Sequence, residues 1–185
     1  MTLNSRALRR LDDAASDNIK DAHERRPLYI ILEDVLDTYN IGGFFRLADA
    51  VGAKKIYLCG GCATPPDPKI MKASVGTYRL VPWEYAPDAA AVIKKLKKSV
   101  GLATIAVEQS ASSFDYRDIM YDYPIAFLFG NESTGLSAAV LDLADKTVEV
   151  PMYGFNKSLN VMVAAGIVIY RSLENRPRCR ANTVI

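Results

Sequence analysis

Ile125-Ala126-Phe127-Leu128-Phe129-Gly130-Asn131-Glu132-Ser133-Thr134-Gly135-Leu136 is a run of five apolar residues that ends in a glycine-containing turn. An apolar run this short and continuous fits a strand buried on both faces, as in parallel sheets. The sequence after it predicts a helix over 137–143 and a strand over 147–150. A strand, a tight turn, a helix and a further strand make one unit of a layered α/β fold.

The same alternation extends upstream. Pro27 opens a second apolar run, Leu28-Tyr29-Ile30-Ile31-Leu32. Helices are expected over 41–51, 69–74 and 88–100, and strands over 55–59, 78–82 and 103–107, with a Gly/Pro-containing loop over 60–68. A long apolar helix over 158–173 closes the pattern. Before it all, Leu3, Ala7, Leu8, Leu11, Ala14 and Ala15 recur at helical spacing, which predicts an amphipathic N-terminal helix. The chain divides into a helical extension (1–26), one α/β domain (27–173) and a basic tail (174–185). The domain has a mostly parallel sheet with helices on both faces.

Bulk properties agree with one globular domain. The 185 residues are 50% hydrophobic and 24% charged, an ordinary globular balance. No apolar stretch reaches the ~18 residues of a membrane span. Arg6, Arg9 and Arg10 lead into Asp12 and Asp13 rather than an apolar run, so no signal peptide is expected and a cytoplasmic location follows. The net charge of +2 does not announce a nucleic-acid binder. Two local basic runs could meet phosphates: Lys94, Lys95, Lys97 and Lys98, and Arg171, Arg176, Arg178 and Arg180. Each is equally a solvated face or tail. Cys59 and Cys62 form a CxxC, but only Cys179 and His23 remain to complete four zinc ligands, so two buried thiols are the simpler reading.

Ligands of parallel sheets sit at the carboxyl ends of the strands, and three loops there are chemically unusual. In Asn40-Ile41-Gly42-Gly43-Phe44-Phe45-Arg46, Asn40 suits a helix cap, and two glycines in a helix cost about 1 kcal/mol each relative to Ala. Such a cost implies close backbone approach. Arg46 either serves a ligand or pairs with Asp49 one turn on. In the Gly130–Leu136 turn, Glu132 either serves a ligand or favours a helix dipole. The turn has neither GxGxxG nor GxxxxGK[ST] spacing, so no dinucleotide site or P-loop is indicated. In Val150-Pro151-Met152-Tyr153-Gly154-Phe155-Asn156-Lys157-Ser158-Leu159-Asn160-Val161, Ser158 can cap the last helix. Asn160 is polar in an apolar context, and its partner is either a ligand or nearby backbone.

Taken together, the Asn-x-Gly segment with its following Arg, Gly-Asn-Glu-x-x-Gly-Leu after a strand, and Pro-Met followed by Ser-Leu-Asn-Val resemble the three motifs of the SpoU (TrmH-type) RNA 2′-O-methyltransferases. Val107-Glu108-Gln109 and Ser74-Val75-Gly76 resemble lesser landmarks of that family. The resemblance runs from about residue 28 to 173. It implies a parallel α/β sheet of the SPOUT type with a C-terminal trefoil knot, a homodimer, and S-adenosylmethionine as cofactor. It further implies that Val107, Leu128, Gly130, Asn131, Val150, Met152, Ser158 and Leu159 hold the cofactor, with no metal. Arg46, Asn40, Glu132, Ser158 and Asn160 would form the catalytic set. The implied substrate is RNA, tRNA ahead of rRNA, and no membrane partner is implied. A guanidinium resists deprotonation, with a pKa above ~12, so Arg46 is read as a phosphate grip and charge stabiliser rather than a base. The family often has a small residue where Met162 stands, and Ala or Thr where Gly43 and Leu47 stand. Many relatives also carry a separate N-terminal RNA-binding domain, so RNA recognition here is expected to fall to the catalytic dimer, N-terminal helix and tail. The alternatives are a non-catalytic RNA-binding protein that retains the fold, a SPOUT enzyme that methylates a base, and a doubly wound nucleotide-binding enzyme.

Overall fold

The computed structural model describes residues 3–11, 13–22 and 24–174. In chain order its elements are α1 (Ser5–Arg9), α2 (Asp13–Ala22), β1 (Arg26–Glu33), α3 (Thr38–Val51), β2 (Ala53–Cys59), α4 (Pro68–Ser74), a 3-10 turn (Thr77–Arg79), β3 (Trp83–Ala86), α5 (Ala89–Val100), β4 (Ala103–Val107), β5 (Phe114–Asp115), β6 (Ile125–Phe129), α6 (Ala138–Leu141), β7 (Lys146–Glu149) and α7 (Val161–Leu173). The seven strands form one sheet in the order β3-β2-β1-β6-β4-β7-β5, and every pairing is parallel.

Side chains alternate across each strand, so the two central strands feed two cores. Leu28, Ile30 and Leu32 of β1, with Ile125, Phe127 and Phe129 of β6, pack with Phe44 and Phe45 of α3 and Val168 and Ile169 of α7. Ile31, Ala126 and Leu128 point to the other face, among Val92, Ile93 and Leu96 of α5 and Val140 of α6. Both strands are apolar throughout because both faces are covered.

The α3–α4 contact answers the question raised by the paired glycines. A Cβ on Gly42 would lie 2.5 Å from the Ala73 Cβ and 3.0 Å from the Ile70 carbonyl oxygen, and one on Gly43 would lie 2.7 Å from the Met162 Cγ. The backbone approach they allow is therefore made by α4 and α7, not by a ligand. Gly43 and Met162 fit against each other.

Several expectations change. The strand expected over 78–82 is a 3-10 turn followed by β3. Val75 (φ 56°) and Gly76 (φ 94°) are left-handed and reverse the chain, and Thr77 Oγ1 donates to the Ser74 carbonyl at 2.8 Å, winding the segment before Trp83 reaches its partner Ile56. The buried Leu80 and Val81 had supplied the apolar signal. The N-terminal helix is two short helices, the first capped by Asn4; near the break the Leu11 carbonyl accepts from Arg79. The last helix starts at Val161 with Asn160, not Ser158, as its cap, and α3 is capped by Asp37, not Asn40. β5, only two residues long, was not anticipated. Lys94, Lys95 and Lys98 stand on the exposed side of α5, while Lys97 pairs with Asp145 at 2.7 Å. Burial pushes the Cys59 thiol up to about 12 and the Cys62 thiol to about 11. Among the described residues no helix is long and apolar enough to cross a membrane, and no cluster of three metal-ligating side chains occurs. His23, Cys179, Arg176, Arg178, Arg180 and nearly all of the tail expected over 174–185 lie outside the described residues.

Candidate functional site

A cleft of about 570 Å³ opens where β4, β6 and β7 end, in the size range of small-molecule sites. Its walls come from the segments after these three strands: Val107–Gln109, Phe129–Gly135 and Glu149–Val150, with 156–161 and Ala164 closing the remaining side.

The β6 turn is fastened to itself and to its neighbours. Asn131 and Gly135 exchange backbone hydrogen bonds, Asn131 N donating to Gly135 O at 3.2 Å and Gly135 N to Asn131 O at 2.9 Å. The Asn131 Oδ1 accepts from the backbone N–H groups of Ser133 (2.8 Å) and Thr134 (3.1 Å), while its Nδ2 donates to the Asp34 carbonyl (2.9 Å). Gly130 has no room for a side chain: a Cβ there would stand 2.3 Å from the Gly135 carbonyl carbon. Gly135 is left-handed (φ 71°), and a Cβ on it would stand 2.4 Å from a Glu108 carboxylate oxygen. A bare backbone held this rigidly can approach a ligand closely.

A chain of hydrogen bonds then joins all three loops. Asn160 Nδ2 donates to Asn40 Oδ1 at 3.0 Å, and Asn40 Nδ2 donates to Glu132 Oε1 at 3.0 Å. Glu132 also accepts the backbone N–H groups of Leu36 (3.2 Å) and Asp37 (3.3 Å), at the entry to α3. The Asn160 Oδ1 accepts from the N–H groups of Met162 (2.9 Å) and Val163 (3.3 Å), capping α7. Partial burial works to raise the pKa of Glu132, but the hydrogen bonds from Asn40 and the backbone outweigh it and hold the carboxyl below its ordinary value of 4.5. The backbone reading of Asn160 therefore holds, and its amide has a second partner, since it caps α7 and also ties that helix to Asn40 of α3. Glu132 does favour a helix dipole, but that of α3, from a loop far away in sequence.

Of the expected residues, Val107, Gly130, Asn131, Glu132, Val150, Ser158, Leu159 and Asn160 line the cleft. Asn40, largely buried, reaches it through Asn160 and Glu132. Leu128 does not line it: its side chain is 1% exposed in the core beneath α5 and α6, because β6 turns alternate residues away from the cleft. Met152 is half-buried beside the loop start and is also outside the lining. Arg46 is exposed and outside the cleft, about 9 Å along the α3 axis from Asn40. It makes no ion pair with Asp49 or any other described residue. Glu108, Glu149, Asn156 and Lys157 also line the cleft and are not among the expected site residues. An acid directly after the buried strand, in Val107-Glu108-Gln109, was the available signal.

The sequence model of the SpoU rRNA Methylase family matches residues 27–170. The tRNA (guanosine(18)-2'-O)-methyltransferase of Thermus thermophilus is 30% identical over 171 residues, covering 91% of this chain and 87% of its own. YacO of Bacillus subtilis, named for the TrmH family, is 31% identical over 162 residues, covering 86% of this chain but 64% of YacO, so the chain spans just under two thirds of that relative. Among solved structures, the SpoU methyltransferase AviRb from Streptomyces viridochromogenes, crystallised with AdoMet, superposes with a TM-score of 0.73 at 28% identity, covering 81% of this chain and 58% of AviRb. The family match spans most of the chain and includes all three loops around the cleft: this protein belongs to the SpoU rRNA methylase family.

Proposed function

We propose that the protein methylates the 2′-hydroxyl of a ribose in RNA with S-adenosylmethionine, tRNA ranking ahead of rRNA as substrate. The observation that carries this reading is the Asn160–Asn40–Glu132 chain, which ties the three motif loops together at one cleft. The residues present fit the cofactor: a glycine floor, Gly130 and Gly135, that a Cβ would fill, apolar walls from Val107, Val150 and Leu159, and polar groups at the rim. Gly130, Asn131, Val107, Val150, Ser158 and Leu159 would hold it, with Leu128 supporting the floor from beneath and Met152 bracing the loop. When bound, the cofactor supplies an electrophilic methyl group.

The protein's own contribution is alignment and charge. Asn40, Asn160 and Ser158 hold the loop walls and the ribose hydroxyl in line, which converts a bimolecular encounter into an oriented one. Arg46, exposed and in no ion pair among the described residues, grips the phosphate beside the target ribose and stabilises negative charge as the hydroxyl proton leaves to water. Its distance from the cleft is bridged by the RNA. Compact relatives such as the Thermus thermophilus enzyme are named for tRNA, which supports that ranking.

The same reading includes a homodimer, a C-terminal trefoil knot and a cytoplasmic location. The dimer is supported by an apolar stripe on α7, where Val163 is 48% and Tyr170 52% exposed, seven residues apart on one helical face. The knot is supported by the path after β7, which returns to set α7 against α3, β4 and β6. A mass near twice 20.3 kDa in solution supports the dimer, and a stable monomer counts against it.

The test is transfer of labelled methyl to undermodified cellular RNA, followed by alkaline hydrolysis. A 2′-O-methyl group removes the nucleophile that cleaves the next phosphodiester, so label in alkali-resistant dinucleotides is the expected result. Label confined to mononucleotides would mean base methylation and overturn the assignment. Cofactor binding without transfer would point to a missing RNA substrate or partner, and absence of both transfer and cofactor binding would favour a non-catalytic RNA-binding protein.

A further inference from the structure

We infer that Glu108 recognises the ribose of the cofactor by accepting hydrogen bonds from its adjacent 2′- and 3′-hydroxyls; this rests on the methyltransferase reading above. Glu108 directly follows β4, the strand beside β6. The parallel register pairs Ala106 with Leu128, and carrying it two residues on sets Glu108 beside Gly130. Neighbouring strands lie about 4.8 Å apart, so the carboxylate stands one strand-width from the bare backbone of the cleft floor. It lines the cleft, half-buried, and is packed against Gly135, where a Cβ would meet its oxygen at 2.4 Å.

The carboxylate is fixed but has acceptor capacity left. Its Oε2 accepts from Leu136 N at 2.9 Å and its Oε1 from Gln109 N at 3.1 Å. An ionised carboxylate offers about four acceptor positions, so roughly two remain, and neither is taken by a side chain. Two oxygens held in place by backbone donors match two neighbouring hydroxyls. In doubly wound sheets an acid likewise takes the 2′-hydroxyl of a nucleotide ribose. Of the other two cleft carboxylates, one is committed elsewhere and the other stands further from the Gly130 floor. Glu132 is bound to Asn40 and the α3 entry, and Glu149, one strand further on, accepts from Ser113 Oγ at 2.7 Å. A carboxylate here also repels a phosphate on either hydroxyl, so the site selects an adenosyl group with a free diol.

The competing role for Glu108 is purely structural, a brace for the Gly135–Leu136 turn. Calorimetric titration of S-adenosylhomocysteine and its 2′-deoxy and 3′-deoxy forms separates the two. With the wild-type protein, at least one deoxy form should bind about ten- to a hundredfold more weakly, as for loss of a hydrogen bond to a charged group. In Glu108→Gln, which keeps a carbonyl for Leu136 N, that discrimination should shrink to about two- to threefold, while Glu149→Gln retains it. A structural brace would weaken all three ligands in parallel, and that result overturns the proposal. Equal binding of the three ligands to the wild-type protein overturns it without recourse to any variant, as does loss of discrimination in Glu149→Gln instead. No binding of S-adenosylhomocysteine to the wild-type protein would sink the methyltransferase reading itself and this inference with it.

Discussion

Replacing Gly42 by alanine sets two opposing effects against each other, and the structure decides which wins. Alanine favours a helix interior over glycine by about 1 kcal/mol, so a change in the middle of α3 should stabilise if space allowed. It does not, because the new Cβ would sit 2.5 Å from the Ala73 Cβ, 3.0 Å from the Ile70 carbonyl oxygen and 3.1 Å from the Ser74 nitrogen. Two of these three atoms are backbone and cannot rotate away, so α3 and α4 must separate. Overpacking of this kind costs about 1–3 kcal/mol, and after the helix-propensity gain the net expectation is a loss of up to about 2 kcal/mol. Gly43→Ala is the internal control. It gains the same helix propensity one residue away, but what it meets is the flexible Met162 side chain at 2.7 Å. Met adapts easily, so its net effect should lie within about 1 kcal/mol of zero. Urea unfolding of both variants reads the difference directly, since propensity cancels between them. Because α3 also carries Asn40 and Arg46, Gly42→Ala should lower methyl transfer more than its melt alone explains. The reasoning is wrong if Gly42→Ala proves as stable as Gly43→Ala.

Three further outcomes are expected. Arg46→Ala should leave the urea midpoint almost unmoved, within about 0.5 kcal/mol, since the side chain is exposed and unpaired among the described residues, yet reduce transfer by about a hundredfold or more; substantial activity in Arg46→Lys would argue against a forked phosphate grip. Glu132→Gln should cost about 1 kcal/mol, because its amide N–H₂ replaces one of the two oxygens and cannot accept there, either from Leu36 N at Oε2 or from Asp37 N and the Asn40 amide at Oε1. The Glu132 carboxyl is held below its ordinary 4.5, so its stabilising contribution is complete above that value and disappears as pH falls through the lower folded value. Acid melts of the wild type should accordingly lose stability more steeply than those of Glu132→Gln below pH 4.5, and parallel curves would refute the assignment. Asn160→Ala should lose about 1 kcal/mol with the α7 cap, whereas Asn160→Asp should restore the melt but not transfer, because its carboxylate cannot donate to Asn40; full activity in Asn160→Asp would show that the cap alone matters.

The sheet was legible because β1 and β6 are buried on both faces, and burial on both faces writes a continuous apolar run that no loop imitates. The strand expected over 78–82 failed for the converse reason. Leu80 and Val81 are buried, but burial does not distinguish a strand from a turn wound under α3, and only the left-handed Val75–Gly76 pair decides that. Helix starts were misjudged at α3 and α7 because several adjacent residues, Asp37 and Asn40 or Ser158 and Asn160, are all competent caps. In the site, the polar residues stood out against apolar surroundings, but their partners did not. The hydrogen bonds that matter span 92 and 120 positions of sequence, beyond the reach of any local pattern. Arg46 was placed with the catalytic group by motif, and its position along α3, outside the cleft, depends on helix packing that the motif does not encode.

The order of donors and acceptors in the central chain follows from a single charge. An ionised carboxylate can only accept, so Glu132 draws the Nδ2 of Asn40 toward itself and fixes that amide's orientation. The Asn40 oxygen is then left to face Asn160, which must present its own nitrogen, and the Asn160 oxygen is consequently left for the first N–H groups of α7. Two amides that could otherwise flip freely are locked by one acid at the far end. The same atoms perform the local tasks, a dipole contact at α3 and a cap at α7, that make each residue look ordinary when read alone. Local stability and site geometry are thus one arrangement in this protein. A substitution that spares the cap but reverses the donor order should leave the fold intact and remove the alignment that the proposed methyl transfer requires.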